Sequence, residues 1–286
     1  SSSSLRSADT ALAGSREAQD IAYGDVMGDA IIAASRARST GVRGTVSNTH
    51  QCSGGGDFSY EVSYPDDGSV SSKGAAYSVQ FNDCVKNNRK YSGGMDFEFT
   101  TDAEQNSLSI AFLYDEMQAT DTTNGETLWR THGDMTYKFG QKQDDDQFST
   151  TQDSSFYWQL ESDHFFTDTG NEVAEIRDLD FDVRVGSTGA TLFSYAVQAS
   201  TTKTGGWVTV DTQTPLETMS GDTYPSRGEI YIASGKKDDA TQPAYVRLEA
   251  ASGGGSAPLY YVNEGNGEDS GTTVSNWQDL LSLNPL

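Results

Sequence analysis

Long apolar runs are missing from this chain of 286 residues. The longest, around residues 30–34 and 111–113, fall far short of the roughly 20 residues that a membrane-spanning helix needs, so no transmembrane segment is expected. Cationic side chains are scarce as well: 19 Lys and Arg stand against 42 Asp and Glu, a formal net charge of −23. A field of that sign repels phosphate backbones, which argues against nucleic acid as a partner and disfavours anionic membrane surfaces. The acidic excess reads first as solubility in a salty medium, where screening shortens the self-repulsion, and second as a surface that collects divalent cations. Several catalytic signatures are also absent. There is no GxSxG nucleophile elbow, no P-loop and no HExxH. A β-α-β rhythm is lacking, which argues against a doubly wound parallel fold. The reading therefore leans away from an enzyme.

Cysteine is limited to Cys52 and Cys84, which bound the stretch "CSGGGDFSYEVSYPDDGSVSSKGAAYSVQFNDC". A zinc site would need further His or Cys at close spacing. Of the three histidines only His50 is near, while His132 and His164 lie far along the chain. A CxxC redox motif is missing. Between the cysteines Phe58, Tyr60, Val62 and Tyr64 alternate with polar residues, "PDDG" supplies turn residues, and Tyr77, Val79 and Phe81 alternate again. In an antiparallel pair the outer ends of both strands lie side by side, which predicts a Cys52–Cys84 disulfide; two buried free thiols are the alternative. A disulfide places the protein in an oxidising compartment: periplasm, cell surface or outside the cell.

The rest of the chain after Gly44 reads as strand. Examples are Met95, Phe97 and Phe99; Leu108, Ile110, Phe112 and Tyr114; Leu179, Phe181, Val183 and Val185. Turn clusters such as "TNGE", "GSTGA" and "ASGGGS" separate the runs. One apolar and one polar face is the mark of antiparallel sheets. The expected fold is all-β, a large antiparallel sheet system (sandwich, barrel or curled meander) with one N-terminal helix. That helix is read over 15–38, where Ala18, Ile21, Ala22, Met27, Ala30, Ile31 and Ala34 recur at helical spacing. Residues 1–44 form a tether and helix, and 45–286 the β domain, with a subdivision weighed near 140–155. The end, "SNWQDLLSL", reads as a short closing helix.

Few residues offer chemistry. His164, in "ESDHFFTD", sits near Glu161, Asp163 and Asp168, a set that reads first as a solvated loop. Calcium is the ion that oxygen-rich acidic loops suit. Its candidate ligands are Asp144, Asp145 and Asp146 in "QDDDQ", and Asn263, Glu268 and Asp269 in "NEGNGEDSG". Neither loop has the spacing of an EF-hand, and no residue is read as catalytic. The opening "SSSSLRSADT" reads as a mature or trimmed start, of the kind that follows the acylated cysteine of a bacterial lipoprotein; such a lipid anchor would precede Ser1.

Two stretches carry a family likeness: "FNDC" after "CSGGG", and the run "GGWVTVDTQTPLE", "YPSRGEIYIASG", "AYVRLEA", ending in "NWQDLL". They resemble uncharacterised exported β-rich proteins of proteobacteria, lipoproteins among them. The resemblance implies export and a β fold and transfers no catalytic residue. Three functions stay open. The first is a non-enzymatic structural or adhesive protein of the cell surface, a homo-oligomer or polymer assembling into fibres through its N-terminal segment. The second is a carrier of a lipid or other apolar ligand in a curled sheet. The third is a secreted glycan-binding or glycan-cleaving protein.

Overall fold

Apolar and polar side chains alternate along nearly every segment after residue 44, and the chain answers with strands. The computed structural model describes residues 45–63, 73–102, 106–202, 204–235, 244–263 and 270–273. These contain β1 (Thr45–Gln51), β2 (Asp57–Ser63), β3 (Lys73–Lys86), β4 (Arg89–Asp102), β5 (Ser107–Asp121), β6 (Thr127–Asp145) and β7 (Gln152–Asp168). They continue with β8 (Val173–Gly186), β9 (Thr191–Thr201), β10 (Trp207–Thr218), β11 (Arg227–Ser234), β12 (Tyr245–Glu249), β13 (Leu259–Asn263) and β14 (Ser270–Thr273). All fourteen belong to one sheet, in chain order, each antiparallel to the next. β1 does not pair with β14. Of the three expected architectures the molecule takes the open meander. The polar stretch around 140–155 is the closed end of the β6–β7 hairpin. The helix read over 15–38, the terminal "SNWQDLLSL", the "PDDG" turn, Glu268 and Asp269 lie outside the described residues. Among the described residues no helix is long and apolar enough to cross a membrane.

The middle strands run to 19 residues in β6, roughly 60 Å if they were straight. They are not straight. Positive φ occurs at Asp83 (51°) in β3, Gly93 (95°) in β4, Glu116 (46°) in β5, Gly133 (113°) in β6 and Asp178 (49°) in β8. Register breaks accompany them: Phe81/Cys84, Ser92/Gly94, Tyr114/Met117, Gly133/Thr136 and Arg177/Asp180. The irregularities abut. A Cβ on Gly93 would lie 2.2 Å from Glu116 O, and one on Gly133 would lie 2.1 Å from His164 O. Bulges bend strands and raise their twist, and here they line up into one crease across the sheet. Asp134 holds the β7 part of it, its carboxylate accepting from the Asp163 and His164 amides at 2.9 and 3.0 Å.

The crease runs through the most deeply buried part of the apolar face. The side chains most completely removed from water cluster along it: Phe81, Tyr91, Met95, Met117, Met135 and Phe165. Rings make contact across intervening small residues. Tyr91 meets Trp129 at 6.5 Å, and Tyr114 meets Phe165 at 5.9 Å with Gly133 between them in register.

Cys52 and Cys84 are joined, with Cα atoms 5.4 Å apart. The strand pairing places Phe58 opposite Phe81, Tyr60 opposite Val79 and Val62 opposite Tyr77. The β1–β2 turn is also stitched to β3 by Gly54 N–H to Val85 O (2.9 Å) and Val85 N–H to Gly55 O (2.8 Å). Closing a loop of this length stabilises by about 3–4 kcal/mol in the chain-entropy picture. Urea unfolding with and without a reductant should show a loss of that size, and Cys52→Ser/Cys84→Ala should reproduce it. A midpoint unmoved by reduction would deny the staple its role.

Candidate functional site

Below the crease the apolar face continues but is only half-buried. Its side chains form lateral rows because antiparallel register places them opposite one another. One row is Phe99, Ile110, Tyr137, Leu160, Phe181 and Tyr195, running from β4 to β9. The next is Leu108, Phe139, Trp158, Val183 and Phe193. At the usual strand spacing the first row spans roughly 24 Å. Trp158 meets Phe181 edge-on at 4.9 Å, and Phe181 meets Phe193 at 5.4 Å. Burial pushes the Tyr195 hydroxyl up to about 12, the sign of a dry neighbourhood. Beyond these rows, Ile230–Leu248–Tyr260 and Ile232–Val246–Val262 carry the same face to β13.

Two unpartnered polar atoms interrupt this surface. Trp158 Nε1 and Ser162 Oγ are buried on it without a hydrogen-bond partner among the described residues; Trp129 Nε1 and Thr167 Oγ1 share that state across the crease. Such orphans cost about 1–3 kcal/mol each. An apolar surface with a few inward polar atoms is the usual make-up of a small-molecule site.

The opposite face is polar and carries ion pairs. Lys138 Nζ lies 2.7 Å from both Glu161 oxygens. Arg184 donates to both Asp145 oxygens at 2.8 and 2.9 Å and to Asp182 at 2.7 Å. Burial pushes the Asp145 carboxyl up, but hydrogen bonds from Ser154 and Arg184 and the Gln147 amide outweigh it, and the group is held below the usual carboxylate range.

The sequence-read candidates disperse. Asp145 is fully buried and committed to Arg184. Asp144 adopts a left-handed φ of 50° and its amide donates to Asp153. Asn263 is buried, with its amide nitrogen 3.4 Å from the Tyr245 hydroxyl. Among the described residues no three His, Cys, Asp or Glu side chains converge as metal ligands would. His50 stacks on Phe58 at 5.2 Å. His164 pairs not with the neighbours suggested by "ESDHFFTD" but with Glu175 of β8, at 3.0 Å. Glu161 is taken by Lys138 and Asp168 by Arg130. His132 stacks on Phe166 at 4.7 Å and lies 3.4 Å from Glu116. The partners come from adjacent strands, which spacing along the chain does not show. No family model, curated protein or solved structure matches the chain.

Because the folded Asp145 has a depressed pKa, its stabilisation is full above the unfolded value near 4 and is lost as pH falls through the folded value. Asp145→Asn should cost about 3 kcal/mol at pH 7, since a buried guanidinium loses a partner. The gap between variant and wild type should narrow below about pH 4. Equilibrium unfolding at a series of pH values reads both; a gap independent of pH would contradict the assignment.

Proposed function

We propose that this is an exported, non-enzymatic binding protein that carries an elongated apolar ligand, such as a fatty acyl chain, on the inner face below the crease. The carrying observation is the pair of half-buried apolar rows interrupted by Trp158 Nε1 and Ser162 Oγ. The rows offer length and apolar area, and the two orphan groups offer hydrogen bonds to a polar end. The disulfide supports export, since disulfides persist in oxidising compartments, and the resemblance to exported proteins points the same way. Native mass spectrometry of freshly purified protein should show a bound lipid, and a fluorescent long-chain fatty acid should titrate to saturation. Leu160→Asp, at the centre of the longer row, should weaken binding at least tenfold. Trp158→Phe, which keeps a ring and removes the N–H, should weaken it by up to about tenfold, one hydrogen bond's worth. A clean apo mass together with a flat titration sinks the proposal.

Self-assembly at the cell surface draws on a different observation: the sheet is open, so β1 and β14 each have one strand neighbour among the described residues. Unpaired edges accept strands from other chains. On this reading sedimentation velocity shows mass rising with concentration, and removal of residues 1–44 abolishes the rise. A protein that stays monomeric at high concentration rules assembly out.

A further inference from the structure

We propose a second binding site, on the outer face and independent of the inner one, for a neutral sugar residue of a glycan. A cavity of about 560 Å³ opens there, lined by Asn106, Gln141, Lys142, Tyr157, Gln159 and Arg184. That volume lies in the range of small-molecule pockets. Register accounts for its composition. Gly140, Tyr157 and Arg184 lie opposite one another across β6, β7 and β8, and Lys138, Gln159 and Asp182 form the adjacent row. These positions alternate with Phe139, Trp158 and Val183, so the cavity is on the reverse of the apolar face.

Tyr157 supplies the platform. A Cβ on Gly140 would stand 2.8 Å from Tyr157 Cε1 and 2.9 Å from both Asn106 O and Ser107 Cβ. Only glycine at 140 lets the phenol ring lie down along the sheet, where a ring can pack on the apolar face of a sugar. Amides supply the rim. Asn106 Nδ2 donates to Gln141 Oε1 at 2.8 Å, which leaves the Gln141 Nε2 hydrogens and Asn106 Oδ1 for a ligand. Gln159 Nε2 donates to Asp182 at 2.6 Å, which leaves Gln159 Oε1 as an acceptor. Donors and acceptors set beside an aromatic ring match the hydroxyls of a sugar.

Charge selects against ionic ligands. Arg184 is spent on Asp145 and Asp182, and Lys142 Nζ sits 3.9 Å from Asp145. Two cations and two carboxylates balance, so the cavity offers no net charge to a phosphate or sulfate. The net charge of −23 on the whole chain repels anions further.

The test uses the full chain against a glycan array, followed by saturation-transfer NMR and calorimetry with the neutral saccharides that score. Saturable binding is expected. Tyr157→Ala should reduce affinity at least tenfold and Gln141→Ala several-fold, while Tyr157→Phe keeps most of it. Thermal melting of each variant and its fatty-acid titration should match wild type, which separates loss of this site from misfolding and from failure of the inner-face reading. No saccharide binding overturns the proposal. So does binding that survives Tyr157→Ala and Gln141→Ala together, or binding restricted to sulfated or phosphorylated glycans.

Discussion

A single-layer sheet has two faces, and an apolar one must be covered. In this molecule the most deeply buried part of that face follows a line of backbone residues that bend successive strands at one level. The left-handed geometry at Asp83, Glu116 and Asp178 carries a cost of about 1–3 kcal/mol at each non-glycine position. Burial of a large apolar side chain returns about 1.5–3 kcal/mol, and the crease fully buries Phe81, Tyr91, Met95, Met117, Met135 and Phe165.

Polar contacts then hold the bent sheet in place. The loop at 146–151 turns back over the sheet. Phe148 buries itself with Ala190 and Leu192, and Ser149 donates through both its amide and its hydroxyl to Glu217 of β10. Arg227 of β11 donates to Gln147 O at 2.8 Å. A hairpin end that the sequence left open as a place of subdivision is therefore a strap from β6–β7 onto β9–β11. Glu217 is itself buried, so the strap is fixed through a carboxylate that depends on it for hydrogen bonds.

Much of the fold is legible in period-2 alternation. The pairing of Phe58 with Phe81 and Tyr60 with Val79, and the joining of Cys52 to Cys84, follow from two alternating runs that face one another. The architecture is less legible, because sandwich, barrel and open meander share the same alternation. What separates them here is a line of single-residue bulges, several of them at Asp and Glu, which carry no turn signature comparable to Asn-Gly. The sites were hidden for a related reason. Rows such as Phe99–Ile110–Tyr137–Leu160–Phe181–Tyr195 run perpendicular to the chain, so their members lie far apart in sequence. The acidic run at Asp144–Asp146 stood out as a metal candidate, whereas Arg184, the group that engages Asp145, lies 39 residues from it.

Chain-order pairing makes the sheet almost one-dimensional: the backbone of each strand pairs only with the strands that precede and follow it. Such an array opens from its ends, like a zipper, rather than all at once. The disulfide sits at one of those ends. It ties the turn between the first two strands to the third, so opening from the N-terminal side must release three strands together. The C-terminal side, where strands shorten to 5, 5 and 4 residues, has no covalent counterpart. Unzipping is therefore directional, and amide hydrogen exchange should advance from β14 inward before it reaches the stapled edge.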